Sequence, residues 1–270
     1  MVQQTSPRLQ ETSFKRSTRY LSLGVLVPLL LVLSIPVALH VAQKPDLGFE
    51  IHQLHVVSLA AGGPATSAGL QLGDKIVAAN GRPINSWADY YAATAGIYDL
   101  APQTVTVRRL GRELPLLIHP VRPNKAMLIR DYSLWVVGLC FLIIGWWVFL
   151  KRHDSVARNF FSLCFIFAFF LMDIPDLTSV GYMTFKEHLS DLLQLLLPAF
   201  FLRFFLRFPS AGRAEPWNTV RSRLVLLPGL AIFAASVAVA RLHPEPVGSL
   251  PQQVLAALSL VYMLGYFLAS

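Results

Sequence analysis

Apolar and polar positions divide this chain into two textures. Tyr20 to Val41 is a mainly apolar run of about 22 residues, enough to cross about 30 Å of hydrocarbon as a helix. Five more runs follow, at about 133–150, 157–173, 190–206, 224–240 and 252–270, each near the minimum for a helical span. A buried soluble core does not easily hold so many runs joined by so few polar residues. Residues 43–125 differ: they carry most of the acidic and turn-forming residues outside the runs, and their apolar positions come in strand-length groups.

Within that region the pattern predicts alternating strands, turns and short helices. Val56, Val57 and Leu59 form a β-rich run that stops at the turn Ala61-Gly62-Gly63-Pro64. The small residues Ala65 to Ala68 suit a short, close-packed helix, which Gly69 can end by taking a positive φ. Leu72-Gly73-Asp74 turns the chain into a buried strand, Ile76 to Ala79, and Asn80-Gly81 is a strong hairpin signal. Ser86 is placed to cap a helix through Ala93. Thr104–Arg109 and Glu113–Ile118 then read as a hairpin around Leu110-Gly111-Arg112. Roughly 80 residues fit one small α+β domain.

The order of these pieces resembles a PDZ domain. That family runs hydrophobic strand, P-G-S-P-A, A-G-L, G-D, apolar strand, N-G. The corresponding slots here hold Gly62-Gly63-Pro64-Ala65, Ala68-Gly69-Leu70, Gly73-Asp74, Ile76-Val77 and Asn80-Gly81. The resemblance implies a peptide added as an extra strand beside a helix, its terminal carboxylate held by backbone N–H groups of a glycine-containing loop. Leu47-Gly48-Phe49-Glu50 resembles that G-L-G-F loop, so Leu47, Gly48, Phe49 and Ile51 are the expected peptide-binding residues. About six residues separate Phe49 from Val56, too few for two full strands of a standard domain. The loop lies within ten residues of the first apolar run, so a ligand there would bind close to a membrane surface. The plainer alternative is a small rigid scaffold with no peptide ligand.

Composition agrees with a membrane protein: 54% of residues are hydrophobic and 14% charged, against about 25% charged in a soluble domain. The net charge of +8 does not indicate nucleic acid, because the basic residues flank apolar runs and form no basic face with interleaved aromatics. Their distribution instead predicts orientation. The amino tail, 1–19, has Arg8, Lys15, Arg16 and Arg19; the connector around 151–158 has Lys151, Arg152 and Arg158; segment 203–223 has Arg203, Arg207, Arg213, Arg221 and Arg223. These alternate with 173–189, which has only Lys186, and 241–251, which has only Arg241. The amino terminus is therefore expected in the cytoplasm and the PDZ-like region outside it. Residues 20–42 read as an uncleaved signal anchor, since His40 two positions before Ala42 is a poor cleavage match. Trp135, Trp146 and Trp147 are expected toward the ends of the second span, as interfacial anchors.

No enzyme motif stands out. His52 and His55 lack the Glu of a zinc-binding HExxH helix, no GxxxxGK[ST] phosphate loop occurs, and Ser162, Ser236 and Ser259 lack a Gly-x-Ser context. Cys140 and Cys164 fall inside apolar runs and suit small core residues. Asp191 and Gln194, expected at the outer end of the fourth span, are intramembrane polar candidates, although that position is also cheaply hydrated. Phe200 to Pro209, FFLRFFLRFP, resembles the H-F-F-L-x-F-P segment of bacterial multi-span sensors, with Arg203 in place of His. Asp154-Ser155-Val156-Ala157-Arg158-Asn159-Phe160 resembles their D-P-V-A-R-x-F, with Ser155 where Pro is usual. Those sensors are the input regions of histidine kinases and PPM-type serine phosphatases.

The expected fold is a polytopic α-helical membrane protein of about six spans with one extracytoplasmic α+β PDZ-like domain. Its parts are a cytoplasmic tail (1–19), a first span (20–42), the PDZ-like domain (43–125) and a five-helix region (126–270). The expected function is sensory input to a bacterial signal-transduction protein in the inner membrane. The alternative is a non-enzymatic PDZ adaptor that recruits envelope proteins or protease substrates. Expected partners are membrane lipids and a peptide or protein C-terminus; a homodimer stays open, and no cofactor, metal or nucleic acid is expected. The run ending at Ala269-Ser270 has no basic residues after it, which suggests an amino-terminal fragment continued by a kinase or phosphatase domain.

Overall fold

The computed structural model describes residues 25–152, 154–205, 224–242 and 250–269. The tail 1–19 and most of the basic segment 203–223 lie outside them.

Strands β1 (Phe49–His52), β2 (His55–Leu59), β3 (Lys75–Ala79), β5 (Gln103–Arg109) and β6 (Arg112–Ile118) form an antiparallel sheet in the order β1-β2-β3-β5-β6, with β4 (Arg82–Pro83) paired to β3. Three two-residue turns set the register. Asn80-Gly81 (φ 49° and 77°) and Leu110-Gly111 (φ 49° and 79°) are of the kind that twists with its strands. The third, Gln53-Leu54, has φ of 52° and 60° without any glycine. The stretch expected to be too short for two full strands of a standard domain holds a short strand and the start of a second. β1 has four residues and β2 five, and the tight turn fits between them. Leu54 holds the turn: its side chain is buried in the core and its carbonyl accepts the Ile76 N–H at 2.8 Å.

The core of this head is one cluster: Leu54, Val56, Ile76, Val105, Val107 and Ile118 of the sheet region, Ala65 and Leu70 around helix α2 (Pro64–Ser67), and Ala93 of helix α3 (Trp87–Thr94). Asp74, buried at the start of β3, receives both Nε and Nη2 of Arg109 at 2.7 and 2.6 Å and the Gln71 N–H at 2.9 Å. The Arg109 guanidinium holds the Asp74 carboxyl below its usual range against the opposing effect of burial. The ends of the head meet: Asp46 and Val121 exchange backbone hydrogen bonds at 2.8 and 3.0 Å, and Arg122 donates to the carbonyls of Gln43 and Tyr98. A domain whose ends coincide can be inserted between two helices.

Those helices are α1 (Val25–Gln43, its last three residues a 3-10 turn) and α4 (Lys125–Lys151). They are followed by α5 (Ser155–Met172), α6 (Val180–Phe205), α7 (Leu227–Leu242) and α8 (Leu250–Ala269). Among the described residues α1, α4, α5, α6 and α8 are long and apolar enough to cross a membrane; α7, at 16 residues, is shorter.

The described residues form two compact units. One contains the described residues up to Leu39 and Leu134–Pro175. There, α4 and α5 approach closely where Gly138 faces Met172 and Gly145 faces Cys164; a Cβ would lie 2.6 and 2.5 Å from those side chains. Cys164 is buried and Cys140 exposed, both as free thiols. The other unit contains His40–Ser133 and the chain from Asp176, that is, the head with α6, α7 and α8.

Two helices begin earlier than the apolar runs predict. α4 starts at Lys125 rather than near 133, with the Asn124 side chain accepting the Met127 N–H at 2.9 Å. α6 starts at Val180 rather than near 190, and its added turns carry Lys186, Glu187 and His188. Polar residues hide a helix from a hydropathy reading. Tertiary packing against the head supports this one.

Candidate functional site

β1 is one of the two edge strands of the sheet, and α3 adds Tyr90 and Ala93 to the core that β1 also covers. Leu47, Phe49 and Ile51 are half-buried against the cluster that also takes Tyr90 and Ala93 of α3. Three of the four expected site residues thus rest on the same core as α3. Ser86 starts α3 with a complete capping box: its hydroxyl accepts the Asp89 N–H at 3.1 Å, and the Asp89 carboxylate accepts the Ser86 N–H at 2.9 Å.

Gly48, the fourth, is buried with φ of 74°, and a Cβ there would lie 2.8 Å from Pro64 Cδ. Its N–H donates to Asp46 Oδ1 at 2.8 Å and its carbonyl accepts the Ala60 N–H at 2.9 Å, while the Leu47 carbonyl accepts the Ala65 N–H at 3.1 Å. The loop is therefore fastened to the turn before α2. Its Gly48 N–H would reach a ligand carboxylate only if Asp46 let go.

The sequence reading missed what covers the other face of α3. Ala88 and Ala92, one turn apart, are buried against Met183 of α6, with Tyr182 alongside. At the same end of α6, Asp176 pairs with Lys186 at 2.7 Å and Lys44 at 3.6 Å, joining the first residues of the head to the α6 segment. One available signal was the pair of small residues at i and i+4 on α3, which permit close helix approach. Its partner lies about 90 residues away in sequence.

The remaining candidates are scattered. His52 and His55 face each other across the first turn, with His55 Nδ1 2.9 Å from the Gln53 carbonyl. Asp191 and Gln194 are exposed, well inside α6 rather than near its start. Trp135 lies ten residues into α4, and its indole N–H has no partner among the described residues. Trp147 is exposed near the other end, with Lys151 Nζ 5.0 Å from its ring centroid. In the Asp154–Phe160 motif, Asp154 caps α5 by accepting the Ala157 N–H at 2.7 Å, and Ser155 takes the first helical position. Proline suits that position equally, which gives the usual D-P of the motif a physical reason. The Phe200–Pro209 motif is described only to Phe205, where Arg203 lies over the Phe200 ring.

The edge strand, the two-helix arrangement and the three turns define a PDZ-like fold. Residues 55–96 match the family described as PDZ domain, and the chain carries a PDZ domain there. That stretch runs from β2 to just past α3, so Leu47, Gly48, Phe49 and Ile51 lie before it. No curated protein matches the chain. Among solved structures it is similar to the crystal structure of the serine endoprotease from Yersinia pestis, at 22% identity with a TM-score of 0.28. The similarity covers 31% of this chain and 30% of that one, so it spans under a third of the enzyme. A PDZ domain implies binding of a peptide or protein partner.

Proposed function

We propose that this chain is the membrane-embedded input module of a bacterial signal-transduction protein, with its PDZ domain outside the cytoplasm binding a peptide or protein C-terminus. The unequal sharing of Lys and Arg between alternate connectors supports that orientation. The observation that carries the reading is the seat of α3 on α6. The helix that shares a core with the expected site residues rests through Ala88 and Ala92 on Met183, and α6 is itself long and apolar enough to span. A ligand that shifts α3 must repack that contact, and so bias the helices that continue from it.

The test uses the full chain in lipid vesicles, screened with a library of free C-terminal peptides. A selected peptide should protect β1 and α3 from hydrogen exchange and also change exchange in residues 180–191. Binding that leaves 180–191 untouched would turn the reading into the adaptor. Absence of any carboxylate-dependent binding would end both. Reporter fusions after Lys125 and after Arg213 should fall on opposite sides of the membrane, and the same side would end the proposed orientation.

A further inference from the structure

α6 contains one residue that cannot continue its own ladder. Pro198 lies inside the helix, fully buried. It has no N–H for the carbonyl four residues back, and its ring crowds that carbonyl, so a helix bends or hinges there. One turn before it, the Leu195 carbonyl accepts a hydrogen bond from Tyr262 Oη of α8 at 2.9 Å, a buried bond between residues 67 apart in sequence. A third helix closes over this bond. A Cβ on Gly229 of α7 would lie 2.8 Å from Tyr262 Oη and 2.9 Å from the Leu195 oxygen. Glycine is thus the residue that lets α7 reach the bond without displacing it. Leu195, Ile232 and Tyr262 form the buried cluster around it, with Phe233, Met263 and Tyr266 packed outside.

We infer that Tyr262 is a latch on the proline joint of α6. With the bond made, residues 199–205 are held against α8; with it broken, they swing about Pro198. This deepens the reading of the chain as an input module, and its role in signalling rests on that reading. One end of α6 is seated on the PDZ helix and the other ends in the jointed segment. A shift of α3 would strain the latch through a single continuous helix, with no second pathway required. Apolar surroundings suit such a device, because the Tyr262 hydroxyl finds no water when the bond breaks, which keeps the two arrangements discrete.

The experiment places spin labels on the full chain in lipid nanodiscs at two exposed positions, Phe205→Cys on α6 and Leu268→Cys on α8, in a background of Cys140→Ala and Cys164→Ala. The parent should give one narrow distance peak. Tyr262→Phe keeps the ring and its packing and removes only the hydroxyl; it should broaden the peak or add a second, longer one. Gly229→Ala, whose methyl falls on the bond, should do the same. If both variants keep the parent peak with unchanged thermal midpoints, the latch is overturned. Neither variant needs a ligand, so this arm stands apart from the input reading. A second arm adds Met183→Ala at the seat of α3. It should shift the peak in the parent and leave Tyr262→Phe unmoved. A latch that responds to Tyr262→Phe and not to Met183→Ala would sink the input reading and keep the joint.

Discussion

The head and the last helix hold similar side chains and treat them in opposite ways. In the head, Ile76, Val107, Ile118 and Ala65 have no exposed surface at all. Along α8, Val261 is 67% exposed and Leu268 88%. A domain in water must turn its apolar residues inward to gain from burial, at about 25 cal/mol for each Å² removed. A helix with an apolar surface of this extent has no such gain within its own fold and suits hydrocarbon. Hydrophobicity alone therefore does not say where a residue goes. Period and punctuation do: short groups broken by Gly, Asn-Gly and Pro fold on themselves, and runs of twenty do not.

The largest expected effect separates the two regions directly. Ile76→Ala should cost the head about 3 kcal/mol, through lost transfer energy and the cavity left behind. Leu268→Ala should cost less than about 0.5 kcal/mol, the ordinary range for an exposed position. Hydrogen exchange of the β3 and β5 amides in the full chain, in micelles, reads the first; the thermal midpoint reads the second. A Leu268→Ala cost near that of Ile76→Ala would erase the comparison, since it would mean that the outer face of α8 is packed.

The same contrast explains what was legible in the sequence. Turn chemistry gave the head away: Asn80-Gly81, Leu110-Gly111 and the Ser86 cap each specify a local geometry that the structure contains. Gln53-Leu54 was not legible, because two non-glycine residues adopt positive φ only where the core demands it, here by burying Leu54. The first turns of α6 were hidden for the opposite reason. Lys186, Glu187 and His188 carry no apolar signal, and what holds that segment is a contact with α3 far away in the chain. The surroundings of the expected site residues were only partly legible. Leu47, Phe49 and Ile51 were expected from the loop pattern and lie half-buried on the core, but the tie between Gly48 N–H and Asp46, and the seat of α3 on Met183, are tertiary facts.

A middle-sized effect tests whether the head is held by its polar brace as well as by its core. Asp74→Asn should cost about 2 kcal/mol at neutral pH, the scale of charge-assisted hydrogen bonds lost from a buried acceptor. The pH dependence has a definite sign. The folded Asp74 carboxyl titrates below its unfolded value of about 3.9, so its contribution is complete above that value and is lost as pH falls through the folded one. Asp74→Asn should therefore lower the plateau at neutral pH and flatten the acid limb below about pH 4. The helices share no part in this brace, so their exchange should stay as it was. An acid limb identical to the parent's would assign the brace no weight.

The smallest effect bears on the boundary between the regions. Ser86→Ala removes one hydroxyl at the start of α3 and should cost about 1 kcal/mol, a normal value for a lost N-cap. Its reach matters more than its size. If the head and α6 behave as separate bodies, exchange should rise only in Ser86 to Asp89. If α3 and α6 are one packed pair, the freed first turn loosens Ala88 on Met183, and exchange should rise in residues 180–186 as well. Asp89→Ala offers the matching half of the capping box, since its carboxylate accepts the Ser86 N–H, and it should give the same pattern. A rise confined to α3 in both variants would restore a sharp border between a water-facing fold and the helices, and with it the view that the head is merely tethered.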